Sequence, residues 1–389
     1  TMKLSKYRTY TRLISTLIII LPLFASNIWI PMETPDDYHE FKLIENYGQD
    51  IIWVVGSEKQ YSTPNTLLKS TDGGESWELQ HTFEFKISEL EFIDANTGFA
   101  LQYSTIFKTT DGGDTWTELK RVAGLDRLKV ISENILWGAS SNSGYAYKSI
   151  DGGNNWTTQA LHVFASGEVF CALDNDRAWT GNNIKFCYTS DGGANWSSRN
   201  LRIINMAMTA DDEGYAILAD YDLHKTTDNG ENWTEVLDPQ SSDNYLYALD
   251  GQSAWMVGTA TGSDPVYRTT DSGDTWQQQD VYNSSLSYNV LYDVCAVDSN
   301  SAWIGGKYGI YKYGPTPELT LLYPNSGDDL NAGELIQISW QSQSISYLDI
   351  YYTFNGSDWL LVEDSVDAEP GFYYWQVPVL TSQQCKIRL

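Results

Sequence analysis

Apolar and polar positions along this chain repeat in one fixed order. Short runs open on an aromatic residue and end on small or branched ones: Trp53-Val-Val-Gly56, Phe99-Ala-Leu, Trp137-Gly-Ala, Trp179-Thr-Gly181, Tyr215-Ala-Ile, Trp255-Met-Val-Gly258 and Trp303-Ile-Gly-Gly306. Each reads as a β-strand closing on a tight turn. After six of the seven comes a box with an Asp, a Gly two residues on and a Trp five residues on. The boxes are Asp72, Gly74 and Trp77; Asp111, Gly113 and Trp116; Asp151, Gly153 and Trp156; Asp191, Gly193 and Trp196; Asp228, Gly230 and Trp233; and Asp271, Gly273 and Trp276. Successive Asp positions lie 39, 40, 40, 37 and 43 residues apart, a period that fits four short strands per propeller blade.

Each box has the chemistry of a hairpin turn. Its carboxylate can accept hydrogen bonds from amides further along the same turn. The position after the Asp changes to Asn229 and Ser272, whereas the second Gly is constant. Positive φ is therefore expected at the second position. The Trp starts the next strand and packs between repeats.

The seventh repeat has a third strand, Gly309-Ile-Tyr-Lys-Tyr313, and then stops at Gly314-Pro315. Its fourth strand is expected from residues 27–33, with Trp29 in the place of a box Trp and Pro31 suited to an outermost strand. That arrangement removes free sheet edges.

These boxes resemble the Asp-box, or BNR, repeat of sialidases, of two-propeller xyloglucanases and of the photosystem II assembly factor family. The resemblance implies an all-β chain with a seven-bladed β-propeller over residues 27–315, preceded by a signal peptide at 1–26. In that class the box is structural. A sialidase would need three converging arginines, a Tyr nucleophile with a Glu partner and an Asp acid. Here the early Arg-Ile-Pro motif of that family is reduced to Trp29-Ile-Pro31, and the propeller holds only Arg121, Arg127, Arg177, Arg199, Arg202 and Arg268. A xyloglucanase needs a second propeller. The layout resembles the assembly factors most closely, which implies a non-enzymatic scaffold with an arginine patch on one face.

Residues 316–389 follow another grammar, with Ile338-Ser-Trp340, Leu348-Asp-Ile-Tyr-Tyr352 and Tyr374-Trp-Gln-Val-Pro378 as short alternating strands. They resemble the small immunoglobulin-like β-sandwich found behind repeats in secreted bacterial proteins. A truncated last strand is expected.

The net charge of −27 disfavours nucleic acid and anionic membrane surfaces. Lys3, Lys6, Arg8 and Arg12 precede an apolar run from Ile14 to Ala25, the pattern of a secretory leader. Removing those four charges gives −27 − 4 = −31. No Cys follows the run, so a lipid anchor there is not expected. A secreted, periplasmic or cell-surface bacterial location follows, with no membrane span after cleavage. Cys171, Cys187, Cys295 and Cys385 match no metal pattern and read as small buried hydrophobes.

Neither metal nor cofactor is expected, and no catalytic residue is assigned. The binding face is expected opposite the boxes, on second-to-third strand turns and blade connections, with Tyr61, Tyr245, Tyr282 and Tyr288 as contacts for a protein or a glycan. A scaffold predicts a channel without a tight carboxylate-arginine cluster. The alternative, a glycoside hydrolase, requires paired carboxyls, one with a raised pKa.

Overall fold

The computed structural model describes residues 2–3 and 27–389, apart from 36–37, 59–64, 162–168, 183, 210–211, 240–242, 260–265, 280, 282–289, 316–317, 325–327, 344, 346, 380–381 and 383. The chain divides into two compact units, Ile28–Tyr313 and a second made of Thr1–Asn27 with Gly314–Leu389.

The larger unit is a β-propeller. Among the described residues its strands form seven four-stranded antiparallel sheets. Six are simple meanders in sequence order, as in blade 2: Glu89–Phe92, Gly98–Gln102, Thr105–Thr109 and Thr117–Arg121. The last sheet combines Leu291–Asp298, Ser301–Gly306 and Ile310–Pro315 with the chain's early strand Asn27–Pro31. We call it blade 7, and number the sheet that begins at Tyr38 blade 1.

Second strands are buried throughout, because neighbouring blades cover both their faces. Trp53, Trp137, Trp179, Trp255 and Trp303 have at most 1% of their surface exposed. Several also latch one blade to the next. The indole N–H of Trp53 donates to the Gly112 carbonyl at 2.8 Å, that of Trp179 to Asn229 at 2.8 Å and that of Trp303 to Gly73 at 3.1 Å. Each acceptor is the residue after the Asp in the following blade's box. Trp137 uses the Asp174 carbonyl instead, at 2.9 Å. Trp255 faces blade 7, which has no box, and its Nε1 has no partner among the described residues.

The closing strand differs from a box strand in one respect. Box tryptophans such as Trp116, Trp156 and Trp233 donate to the Gly of their own turn. Trp29 is completely buried and donates instead to Gln279 Oε1 of blade 6 at 2.9 Å, with its ring 5.1 Å from Tyr313.

The smaller unit holds two three-stranded antiparallel sheets. One joins Glu318–Tyr323, Leu335–Gln343 and Phe372–Gln376, and the other Leu360–Asp367, Tyr347–Thr353 and Lys386–Arg388. Inward residues of both, including Ile338, Trp340, Ile350, Trp375 and Ile387, share one core. The four cysteines are free thiols, three buried and Cys171 half-buried.

Candidate protein-binding face

The antiparallel meander assigns every connection to a face. First-to-second turns and boxes lie on one side of the ring, and second-to-third turns and blade connections lie on the other.

The box face spends its polar groups on itself. In every box one carboxylate oxygen accepts from the backbone amide four residues on, and the other from that residue's side chain. In blade 2 these bonds run from Thr115 N to Asp111 Oδ1 at 2.9 Å and from Thr115 Oγ1 to Oδ2 at 2.5 Å. In blade 1, Ser76 makes the same pair to Asp72 at 2.9 Å and 2.6 Å. The hydroxyl two residues before the Asp donates to it as well, and accepts from the second Gly amide. Thr109 does both, at 2.7 Å and 3.1 Å. The Thr115 hydroxyl and amide, followed by the Thr109 hydroxyl, hold the Asp111 carboxyl down at about 2. Equivalent hydrogen bonds lower Asp151, Asp191 and Asp271. The working motif therefore includes Ser or Thr before the Asp and Ser, Thr or Asn after it. Both were visible in the sequence.

The positive φ expected at the second box position is present in all six boxes, from +81 at Gly273 to +105 at Gly113, and the first position shares it: Gly112 has φ +75, and Asn229 and Ser272 take +59 and +60. The preceding blade packs against the second position, which gives a further reason for Gly there. A Cβ on Gly113 would lie 3.0 Å from Leu67, one on Gly153 2.8 Å from Leu119, one on Gly230 2.8 Å from Phe186 and one on Gly273 2.9 Å from Tyr215. On Gly193 it would overlap the Gln159 amide. Gly74 has the most room, since its nearest neighbour is the flexible end of Met32 at 3.3 Å, with Trp303 of blade 7 at 3.6 Å.

The box tryptophans also divide where the sequence presents them as equivalent. Trp116, Trp156 and Trp233 close their own turns, whereas Trp196 reaches Gln159 of blade 3 at 3.1 Å. Trp77 and Trp276 have buried indole N–H groups with no partner among the described residues. Packing holds them instead. Trp276 stands edge-on to Tyr215 of blade 5 at 5.4 Å, and Trp77 lies against the cluster that contains Trp303. A first and a sixth box of the same sequence form as the others therefore differ from them in the bond that their tryptophans make.

The opposite face has another character. Every described second-to-third turn presents a large apolar side chain to solvent: Tyr103 in blade 2, Tyr145 in blade 3, Ile184 in blade 4, Tyr221 in blade 5 and Tyr308 in blade 7. Phe85, in the connection into blade 2, packs edge-on against Tyr103 at 5.5 Å. Ten large apolar side chains are exposed on the propeller among the described residues, and seven lie on this face. The other three are Tyr47, Leu79 and Ile150. Two turn tyrosines also hold unfavourable backbone. Tyr103 and Ser104 make a two-residue hairpin turn with φ +46 and +65, and Tyr221 has φ +71. Asn and Gly are the residues such turns favour.

Of the four tyrosines expected at this face, Tyr245 is 40% exposed at the start of blade 6. Tyr61, Tyr282 and Tyr288 lie outside the described residues. Tyr245 does not stand alone. Burial first, and then the charges of Glu40, Tyr245 and Tyr308, push the Tyr292 hydroxyl up to about 12, so these groups are neighbours. The Lys42 amine lies 5.1 Å over the Tyr292 ring and 3.2 Å from Glu40.

First strands line a central cavity of about 780 Å³. Side chains two apart on a strand point the same way, so charges enter it in layers. Glu89 meets Arg127 at 3.8 Å, and Glu91 meets Lys129 at 2.9 Å. Asp293 accepts from the amides of Ile44 at 3.0 Å and Val294 at 2.9 Å. Among the described residues the carboxyls lining this cavity thus meet one arginine, Arg127, at 3.8 Å, and a lysine, Lys129, more closely. Enclosure by the ring pushes Glu89 up to about 8 and Asp293 up to about 7, although Arg127 and the amides respectively oppose those shifts. Enclosure and then Glu91 raise Glu45 well above the carboxylate range. Burial pulls Lys129 down, but Glu91 and Glu45 outweigh it and its net shift is upward. These groups are encircled rather than dry: Glu89 keeps 24% of its side-chain surface open and Lys129 40%. Among the described residues no group of His, Cys, Asp and Glu could hold a metal ion.

The ring of meanders and the self-satisfied boxes define an Asp-box β-propeller. Residues 26–313 match the family model of the photosynthesis system II assembly factor YCF48, and the chain belongs to that family. A photosystem II assembly lipoprotein Ycf48 from Synechococcus sp. (strain CC9902) is 33% identical over 107 residues, 25% of this chain and 31% of that protein. The photosystem II assembly protein Ycf48 of Thermosynechococcus vestitus is 27% identical over 324 residues, covering 76% of this chain and 87% of the relative. Among solved structures, one described as YCF48 bound to D1 peptide superimposes with a TM-score of 0.57 at 19% identity, covering 74% of this chain and 98% of the other.

Proposed function

We propose that this chain is an exported, non-enzymatic scaffold that binds a protein partner on its second-to-third turn face. The observation that carries the reading is the placement of seven of ten exposed large apolar side chains on that face. Aromatic side chains are enriched at protein interfaces. Two of them sit on strained backbone, which argues that the side chain is retained for what it touches. Membership of an assembly-factor family supports the same reading, as does a solved relative carrying a peptide. The smaller unit, which we read as an immunoglobulin-like module, would act as a spacer or second contact.

The test places a photo-cross-linking amino acid at Tyr103, Tyr221 or, on the box face, Ile150. Adducts at positions 103 and 221 but not at 150 are expected. Adducts confined to position 150 would refute the assignment. One observation favours a second reading: the raised carboxyls of the channel meet the general-acid requirement of a glycoside hydrolase. Turnover of a polysaccharide, abolished by Glu89→Gln, would establish that reading in place of the scaffold.

A further inference from the structure

The smaller unit carries a surface signal of its own. In the sheet of Glu318–Tyr323, Leu335–Gln343 and Phe372–Gln376, alternate side chains such as Ile336, Ile338 and Trp375 enter the core, and the others face outward. Four outward side chains are large and apolar: Leu322, Leu335, Phe372 and Tyr374, from 40% to 65% exposed. Phe372 and Tyr374 stand edge-on with ring centres 5.5 Å apart. Exposed amides stand among these groups. Gln337 lies opposite Tyr374, and Gln376 opposite Leu335. Further along the central strand, Gln341 lies opposite Thr320. The side-chain amides of Gln337 and Gln341 make no hydrogen bond among the described residues. Charge is sparse on this face. Glu318, at a strand end, is the one charged residue at an exposed position of the three strands. The other sheet of the unit exposes Asp349, Glu363, Asp364 and Arg388.

We propose that this outer face binds a neutral polysaccharide chain. The site does not depend on the scaffold reading of the propeller. A sugar ring has an apolar C–H face and a rim of hydroxyls. The aromatic rings suit the first, and the amides, which donate and accept at once, suit the second. A strongly acidic chain repels anionic polymers, and a face without cations has nothing to hold them. Shape and size agree with this ligand. Phe372–Gln376 pairs with the first half of Leu335–Gln343, and Glu318–Tyr323 with the second half, so the face is a stepped ribbon two strands wide. Such a ribbon measures about 10 Å by 30 Å, roughly 300 Å², against roughly 800 Å² a side in a standard protein interface. It suits an extended polymer better than a folded partner or a second copy of this chain.

The experiment is native affinity electrophoresis of the full chain through gels containing hydroxyethylcellulose, galactomannan or dextran, with polygalacturonate as the anionic comparison. At least one neutral polymer should retard the chain, and polygalacturonate should not. Tyr374→Ala should weaken the retardation roughly tenfold, the worth of one ring contact. Tyr374→Phe keeps the ring and should keep most of the retardation. Tyr374 is 58% exposed, so both variants should fold with the parent's Tm. Tyr347→Ala, which removes an exposed ring from the other sheet, should leave retardation as it was. Failure of all three neutral polymers to retard the chain would overturn the proposal, as would retardation indifferent to Tyr374→Ala. Equal weakening by Tyr374→Ala and Tyr347→Ala would mean unspecific adhesion of exposed rings and overturn it too. A protein adduct at a photo-cross-linking residue in position 374, with no polymer retarding the chain, would make the face a protein contact instead.

Discussion

Raising the pH from about 5.5 to 8.5 should destabilise the propeller, and Glu89→Gln should remove much of the effect. A carboxyl whose folded pKa lies above its unfolded value binds more protons in the native state between those two values. Its contribution is complete below the unfolded pKa and is lost as pH rises through the folded one. Glu89 moves from 4.5 to about 8, and Asp293 from 3.8 to about 7. At about 1.4 kcal/mol per pH unit, the Glu89 shift sets a ceiling of roughly 4–5 kcal/mol. Lumen water reaches a quarter of that side chain, so the effect expected is about 1–2 kcal/mol. For a propeller of this size that is a fall in Tm of roughly 2–3 °C. Scanning fluorimetry at a fixed heating rate across the pH range would measure it. Glu89→Gln forgoes an ion pair with a partly exposed Arg127, which costs little, and should give a flatter profile. The boxes act with the opposite sign. Their lowered carboxyls stabilise the fold above pH 4 and lose that contribution in acid. Stability should therefore be greatest in mildly acidic buffer. A Tm that rises from pH 5.5 to 8.5, or a Glu89→Gln profile as steep as the parent's, would refute the enclosed-carboxyl argument.

Two substitutions probe the rest of the molecule. Tyr103→Asn suits the left-handed turn and should stabilise the propeller by about 1 kcal/mol in urea titration, while cutting partner adducts at position 221. A destabilised variant, or one that keeps full partner capture, would show that the turn is not strained for binding. Trp303→Phe leaves the Gly73 carbonyl without its donor and should cost about 1–2 kcal/mol more than Trp255→Phe, whose indole N–H has no partner among the described residues. Equal costs would mean that the inter-blade hydrogen bond contributes nothing beyond ring packing.

The propeller is legible in the sequence because its chemistry is local and repeated. An Asp, a Gly and a Trp at fixed offsets encode one turn, and six copies encode the ring. The Ser or Thr two residues before each Asp is as regular as the Asp, and it carries the bond to the buried Gly amide. The positive φ expected at the constant second Gly is observed, while the blade packed behind it, a further reason for Gly, becomes visible only in three dimensions. The same holds for Trp77 and Trp276, whose offsets match those of Trp116 while their surroundings do not. The channel is illegible for a different reason. Glu45, Glu89, Glu91, Lys129 and Asp293 span about two thirds of the chain, and ring closure alone brings them together. A weaker signal is present. Glu89 and Glu91 flank Leu90, and Arg127 and Lys129 flank Leu128, so charge alternates with core on first strands. Such strands have one face toward a lumen rather than a neighbouring blade.

The two faces of the ring differ in what their residues are free to do. A box side chain is committed: Asp, hydroxyl and amide bond one another, and altering any one unmakes a turn against which the preceding blade packs. The second-to-third turns are also tied internally, as where Asn182 Oδ1 accepts from the Ile184 and Lys185 amides, but their large apolar side chains take no part in those bonds. Tyr103, Tyr145, Ile184, Tyr221 and Tyr308 are exposed while the strands beside them are buried. A large apolar group held in water gains nothing from the fold, and Tyr103 and Tyr221 also sit on unfavourable backbone. On the scaffold reading proposed above, the free energy that offsets their display would come from a partner docked on this face.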